Sequence, residues 1–156
     1  MSADRLAAGY EPRFDIDYAV GHEGERYVEK DVIAAFTTGR VEVKNDQLAA
    51  KTRNVYIEFS CLRRGSWHRS GIETTEATFW AIVLADSVVV VVPTDVLRVA
   101  TVTAWGEGLK SSCERGSHPT KGVLLPVDQL VRRFMRAAQE TRLGGSTSQN
   151  GAPETD

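Results

Sequence analysis

The sequence predicts an α/β fold, and three features predict it. Apolar residues recur at helical spacing over 22–36 and 128–141, polar and apolar residues alternate over 40–46 and 54–61, and an unbroken valine run sits at 88–92. Helices and strands that interleave in this way build a sheet flanked by helices. The 156 residues predict one domain. At that size about two-thirds of the unfolded surface can be buried without disulfide or metal staples.

In chain order, residues 1–13 read as a flexible lead-in, 14–142 as the folded domain, and 143–156 as a Gly/Ser/Pro-rich tail too poor in apolar residues to fold. The segment 22–36 is predicted helical, ending at Thr37-Thr38-Gly39. In strand 40–46, Val41 and Val43 point one way and Glu42, Lys44 and Asp46 the other. A basic, flexible connection over 47–53 leads to strand 54–61. There Val55, Ile57 and Phe59 share one face, and Tyr56, Glu58 and Ser60 the other. A basic loop follows over 62–71, then a short helix over 75–81, with Thr74 or Thr75 as its cap. Two strands, 80–84 and 87–92, surround a turn at Ala85-Asp86. The valine run lacks alternation, which predicts a central strand buried on both faces. Pro93 stops it, and 94–103 reads as a helix. Residues 106–122 are polar and glycine-spaced, hence loop; 122–125 is a short strand, and 128–141 an amphipathic helix with Arg132, Arg133 and Arg136 largely outward.

Composition narrows the function classes. Net charge is −2, so binding to nucleic acid by bulk charge alone is not expected. Cys61 and Cys113 form no metal-type pair and read as free thiols of a reducing compartment. The longest apolar stretch, 81–93, is too short to span a bilayer, and no basic start leads into an apolar run. These features predict a soluble cytoplasmic protein with no membrane partner. The three histidines, His22, His68 and His118, show no zinc spacing, and no Walker-type phosphate loop or convincing serine triad is present.

The chemistry-bearing residues lie where a strand has no need of polarity. Glu42, Lys44 and Asp46 line one face of the first strand, and Glu58 and Ser60 one face of the next. If the two strands pair, cross-strand neighbours sit about 5 Å apart. Carboxylates that close can share a hard divalent cation, and Mg²⁺ takes one or two of them with waters and substrate phosphate. A nearby lysine can then position the attacking water. The bland alternative for a lone charged strand is a solvated face. A glutamate inside Val55-Tyr56-Ile57-Glu58-Phe59-Ser60 fits that alternative less well.

The order of these segments resembles the PD-(D/E)XK nuclease superfamily. The resemblance rests on a helix carrying Gly24-Glu25, then Val41-Glu42-Val43-Lys44-Asn45-Asp46, then Asn54-Val55-Tyr56-Ile57-Glu58. It extends to Ser70-Gly71-Ile72 through Trp80 and to Gly122-Val123-Leu124-Leu125-Pro126, and covers most of 14–138. Small phage and bacterial members of the superfamily carry stretches of this kind. The resemblance implies a restriction-endonuclease-like αβββαβ core with a central mixed sheet flanked by helices. It also implies Mg²⁺- (or Mn²⁺-) dependent hydrolysis of phosphodiester bonds, with DNA as the partner and a structure-dependent endonuclease or junction resolvase as the type. If the protein is phage-encoded, its place is the host cytoplasm, and a homodimer would suit a two-fold junction.

By position, the resemblance makes Asp46 the first metal-binding acid, Glu58 the second, and Glu25 the helix acid that completes the shell. Ser60 stands where the pattern has lysine, and Lys44 on the neighbouring strand is the substitute. Two other readings stay open: Glu42-Val43-Lys44 as the motif itself, and a non-catalytic nucleic-acid-binding module, which Ser60 motivates. Lys51, Arg53, Arg63, Arg64 and Arg69 would flank the site and bind phosphates, or be ordinary surface loops. Thr75 would hold a phosphate at a helix start, or simply cap it.

Overall fold

The computed structural model describes residues 12–85, 88–113 and 118–145, with the backbone alone for 12–19, 85, 144 and 145. The chain divides into two compact units, Met1–Gly39 and Arg40–Asp156.

The N-terminal unit is helical. Helix α1 (Pro12–Tyr27) passes through a π-helical stretch (Val28–Ile33) into α2 (Ala34–Thr37). Hydroxyls of Thr37 and Thr38 accept the role of terminators, both donating to the Ala34 carbonyl, and Gly39 then adopts φ +70°. The helix starts before the predicted residue 22 and includes the last two residues of the predicted lead-in; residues 1–11 lie outside the described residues.

The larger unit is mixed α and β, with its strands in two sheets. The first sheet has the order β1 (Val41–Asn45), β4 (Phe79–Ala85), β5 (Val88–Pro93), with β1 parallel to β4 and β5 antiparallel to it. The second is antiparallel, in the order β3 (Ser66–Arg69), β2 (Asn54–Arg63), β7 (Thr120–Pro126), β6 (Lys110–Cys113). A one-turn helix α3 (Ala49–Thr52) replaces the expected flexible connection, and Arg53 ends it in the left-handed region at φ 56°. Helix α4 (Thr94–Gly106) follows β5, and a 3₁₀ turn (Val127–Gln129) leads into α5 (Leu130–Gly145). That last helix runs into the start of the expected tail, and residues 146–156 lie outside the described residues.

Alternation in β2 and β7 explains the core. Val55 and Ile57 of β2 face the same way as Val123 and Leu125 of β7, and all four have no exposed surface. Against them pack Leu97, Ala100 and Ala104 of α4 and Leu130 and Ala137 of α5. Each large aliphatic side chain buried in this way contributes about 1.5–3 kcal/mol. The alanines let α4 and α5 approach each other closely.

Five expectations are corrected. The strands carrying Asp46 and Glu58 do not pair: β1 hydrogen-bonds to β4, and β2 to β3 and β7. The valine run is an edge strand, with Val88, Val89 and Val91 at 50%, 53% and 38% exposure. Charge-free valines satisfy the pattern of a central strand, but only a neighbour on each side makes one. Residues 75–81 are not helical; a 3₁₀ turn at Gly71–Glu73 precedes β4 instead. Within the expected loop 106–122, β6 forms and β7 begins early, because pairing of β7 with β2 and of β6 with β7 organises a polar sequence. Most of the expected basic loop is strand: Arg64 (φ 50°) and Gly65 (φ 80°) make a two-residue turn of a tight hairpin.

Cys61 is buried, Cys113 is half-buried, and no disulfide joins them. Both oppose Thr120, from opposite sides of β7, so two strand spacings, about 9.6 Å, separate their backbones. That exceeds the reach of a disulfide. No helix among the described residues is long and apolar enough to cross a membrane.

Candidate functional site

Asp46 joins the two sheets. Its backbone N–H donates to the Val83 carbonyl of β4 (3.1 Å), extending the β1–β4 pairing by one residue. Its carbonyl accepts from Ala49 N–H (3.0 Å), which starts α3. Its Oδ2 accepts the Tyr56 N–H of β2 at 3.1 Å. Thus the two strands that fail to pair are still brought together through one carboxylate.

An open cleft of about 750 Å³ lies at this junction, lined by Lys44, Asp46 and Leu48 on one side and by Tyr56, Ser111, Ser112, Cys113 and Leu124 on the other. Register explains the second set. Tyr56 opposes Leu124, Gly122 opposes both Glu58 and Ser111, and Thr120 opposes Cys113, so these residues share one face of the second sheet. Lys44 belongs to the inner face of the first sheet, level with the fully buried Ile82. Of β1, Lys44 thus lines the cleft, while Val43 is 62% exposed on the opposite face.

Tyr56 is seated by three contacts. Its hydroxyl shares a hydrogen bond with Thr120 Oγ1 (2.9 Å), its N–H meets Asp46, and its ring lies over Gly122, where a β-carbon would collide with it. Burial pushes its phenol pKa up against the lowering effect of the Thr120 bond, so the hydroxyl stays protonated at neutral pH.

Glu58 is held separately. Ser70, itself buried, donates its hydroxyl to Glu58 Oε1 at 2.6 Å. Gly71 (φ +53°) lies so close to the Glu58 carbonyl that a side chain there would clash with backbone. Ile72 anchors the turn in the core, and Arg98 of α4 clamps it through the carbonyls of Ile72 (3.0 Å) and Thr75 (2.9 Å). Each residue of Ser70-Gly71-Ile72 therefore has its own physical task. Tyr56 and Glu58 are two residues apart on one strand face, roughly 7 Å along the backbone.

The other expected site residues fall as follows. Glu42 accepts from Thr75 Oγ1 at 3.4 Å, so Thr75 serves a carboxylate rather than a helix start. A β-bulge between Glu58 and Ser60 shifts the alternation, and Cys61, not Ser60, continues the Tyr56–Glu58 face. Ser60 opposes Lys121 and donates to the His68 carbonyl (3.0 Å). Glu25 lies in the N-terminal unit and pairs with His22 at 3.1 Å. Lys51 and Arg53 are exposed around the end of α3. Arg63 and Arg64 form the exposed hairpin tip, about 17 Å from Glu58 along β2, and do not border the cleft. Arg69 is tied to Glu73 at 2.6 Å.

Sequence reasoning missed the bonds made by Tyr56, Ser70 and Arg98, and the part played by Ser111 and Cys113. For Ser70 the signal was the Ser70-Gly71-Ile72 stretch of the resemblance, which did not disclose its bond to Glu58. For the others the register of β6 and β7 decides, and no local pattern encodes it.

Among the described residues, no group of three or more His, Cys, Asp or Glu side chains is arranged to hold a metal. The second oxygens, Asp46 Oδ1 and Glu58 Oε2, lie outside the hydrogen bonds described. No protein-family model, curated protein or solved structure matches this chain.

Proposed function

We propose that this protein is a metal-dependent nuclease of the PD-(D/E)XK kind that hydrolyses phosphodiester bonds in DNA. The observation that carries the reading is the cleft at the carboxyl end of β1, where Lys44 and Asp46 face Tyr56 across the gap between two sheets. Crevices outside the carboxyl ends of parallel strands are where α/β sheets bind ligands, and β1 is parallel to β4. Asp46 and Glu58 would hold a hard divalent cation. Such a cation lowers the pKa of a bound water and offsets charge at phosphorus. Lys44, with its several N–H donors, would donate to the attacking water or to a phosphate oxygen. The Tyr56 hydroxyl, kept protonated, is a neutral donor on the same wall. The hairpin at Arg63–Arg64, with Trp67 stacked under Lys121 Nζ (3.9 Å), would meet the backbone away from the cut.

One observation favours the second reading, a nucleic-acid-binding module without catalysis. Ser60 takes the position of the motif lysine and is committed to the His68 carbonyl.

The test incubates labelled duplex, single-stranded and four-way-junction DNA with Mg²⁺, Mn²⁺ or EDTA, beside Asp46→Asn, Glu58→Gln and Lys44→Ala. Asparagine keeps an oxygen for the Tyr56 N–H, so Asp46→Asn should stay folded. Metal-dependent cutting that each variant lowers by roughly 100-fold or more supports the nuclease. Binding without cutting under every metal supports the module.

A further inference from the structure

A second polar cavity, of about 230 Å³, lies between α4 and α5 and shares no lining residue with the cleft. Its polar lining is Thr103 and Glu107 from the α4 end and Arg132, Arg133 and Arg136 from α5. Ala100 and Ala137 leave the space. Three guanidinium groups thus face one carboxylate. Glu107 accepts from Arg133 Nη1 at 2.7 Å and lies 3.6 Å from Arg136 Nη1, while Glu140 takes Arg136 Nε at 3.1 Å. Gln129 takes Arg133 Nη2 at 3.0 Å. Arg133 Nε is buried and has no hydrogen-bond partner among the described residues. Arg132, exposed, has no ion-pair partner among them either.

This arrangement is incomplete by itself. Arg132 and Arg136 are like charges four residues apart on a helix, a spacing at which they repel. A buried donor with no acceptor carries a desolvation cost. An oxyanion with several oxygens would answer the repulsion, since planar guanidinium groups bind phosphate through paired N–H bonds. The cavity lining has a surplus of two positive charges over Glu107.

We propose that the α4–α5 cavity is a phosphate-binding site, independent of the nuclease reading. The phosphate belongs either to a free phosphate compound or to a nucleic-acid backbone.

The test follows thermal unfolding of the full chain in sodium phosphate against sodium chloride at matched ionic strength. About 10 mM phosphate should raise the wild-type midpoint by roughly 3 °C over chloride. Arg132→Ala breaks no internal bond, should fold as wild type does, and should lose most of that shift, as should Arg136→Ala. Asp46→Asn and Glu58→Gln should keep it, whether or not they cut DNA. A short DNA duplex that displaces phosphate, measured by titration calorimetry, assigns the site to the backbone; failure to displace it assigns the site to a free phosphate compound. No phosphate-specific shift in the wild type, or the same shift in Arg132→Ala and Arg136→Ala, overturns the proposal.

Discussion

At Gly122 the free space is smaller than a methyl group. A β-carbon there would meet the Tyr56 ring and the Ile57 carbonyl, one side chain and one backbone atom that cannot both yield. Gly122→Ala should therefore destabilise the protein by about 2 kcal/mol, the ordinary cost of overpacking. Because Tyr56 is also held at its hydroxyl and its N–H, the strain should pass to the Asp46 side of the cleft. Denaturant unfolding gives the stability, and Tyr56→Leu in the same background is the control. The double variant should recover part of the loss, since leucine carries no ring over β7. An unchanged stability in Gly122→Ala would mean that the ring is not seated there.

At the scale of elements, β5 stands out as an edge without the usual protection. It consists of five valines and a proline, has no charged residue, and exposes Val88, Val89 and Val91. Natural edge strands carry lysines or bulges that discourage pairing with another chain. Val89 opposes Val83 on the outer face of the first sheet. Val89→Lys should cost no more than about 0.5 kcal/mol, as substitutions at exposed positions do. It should also reduce self-association seen by light scattering in concentrated solution. A loss of several kcal/mol would show instead that this face is buried in the working protein.

For the larger unit as a whole, α4 and α5 are linked at their polar margin by Glu107 and its two arginines. The Arg133 hydrogen bond, and next the charge of that residue, hold the Glu107 carboxyl below its ordinary value of 4.5. A carboxyl whose pKa is lowered by folding stabilises the fold above its unfolded pKa, and that contribution is lost as pH falls through the folded one. Glu107 is exposed, so the effect is screened and small. The gap in melting temperature between wild type and Glu107→Gln should thus be constant at neutral pH and close as pH drops below 4.5. A gap that persists in acid would mean that packing, not charge, accounts for it.

Local pattern was enough to read the α/β class, the positions of β1, β2, β4 and β5, and the two long helices of the larger unit, because burial on one face leaves a period in the sequence. It also singled out Lys44, Asp46 and Glu58 as unusual, and the resemblance drew attention to Ser70-Gly71-Ile72. The partner of each strand was not legible, because hydrogen bonds between strands join backbone groups that every residue carries. For that reason the valine run read as central although it lies at an edge, and β1 and β2 read as neighbours although they belong to different sheets, with Asp46 bonded to Tyr56 between them. The same limit hid the far wall of the cleft. Ser111 and Cys113 lie in a polar segment with no period of its own, and only the pairing of β6 with β7 brings them opposite Thr120 and Gly122. Sequence by itself determined which residues carry unexplained polarity; tertiary pairing alone decided which of them face one another, since that depends on contacts between segments far apart in the chain.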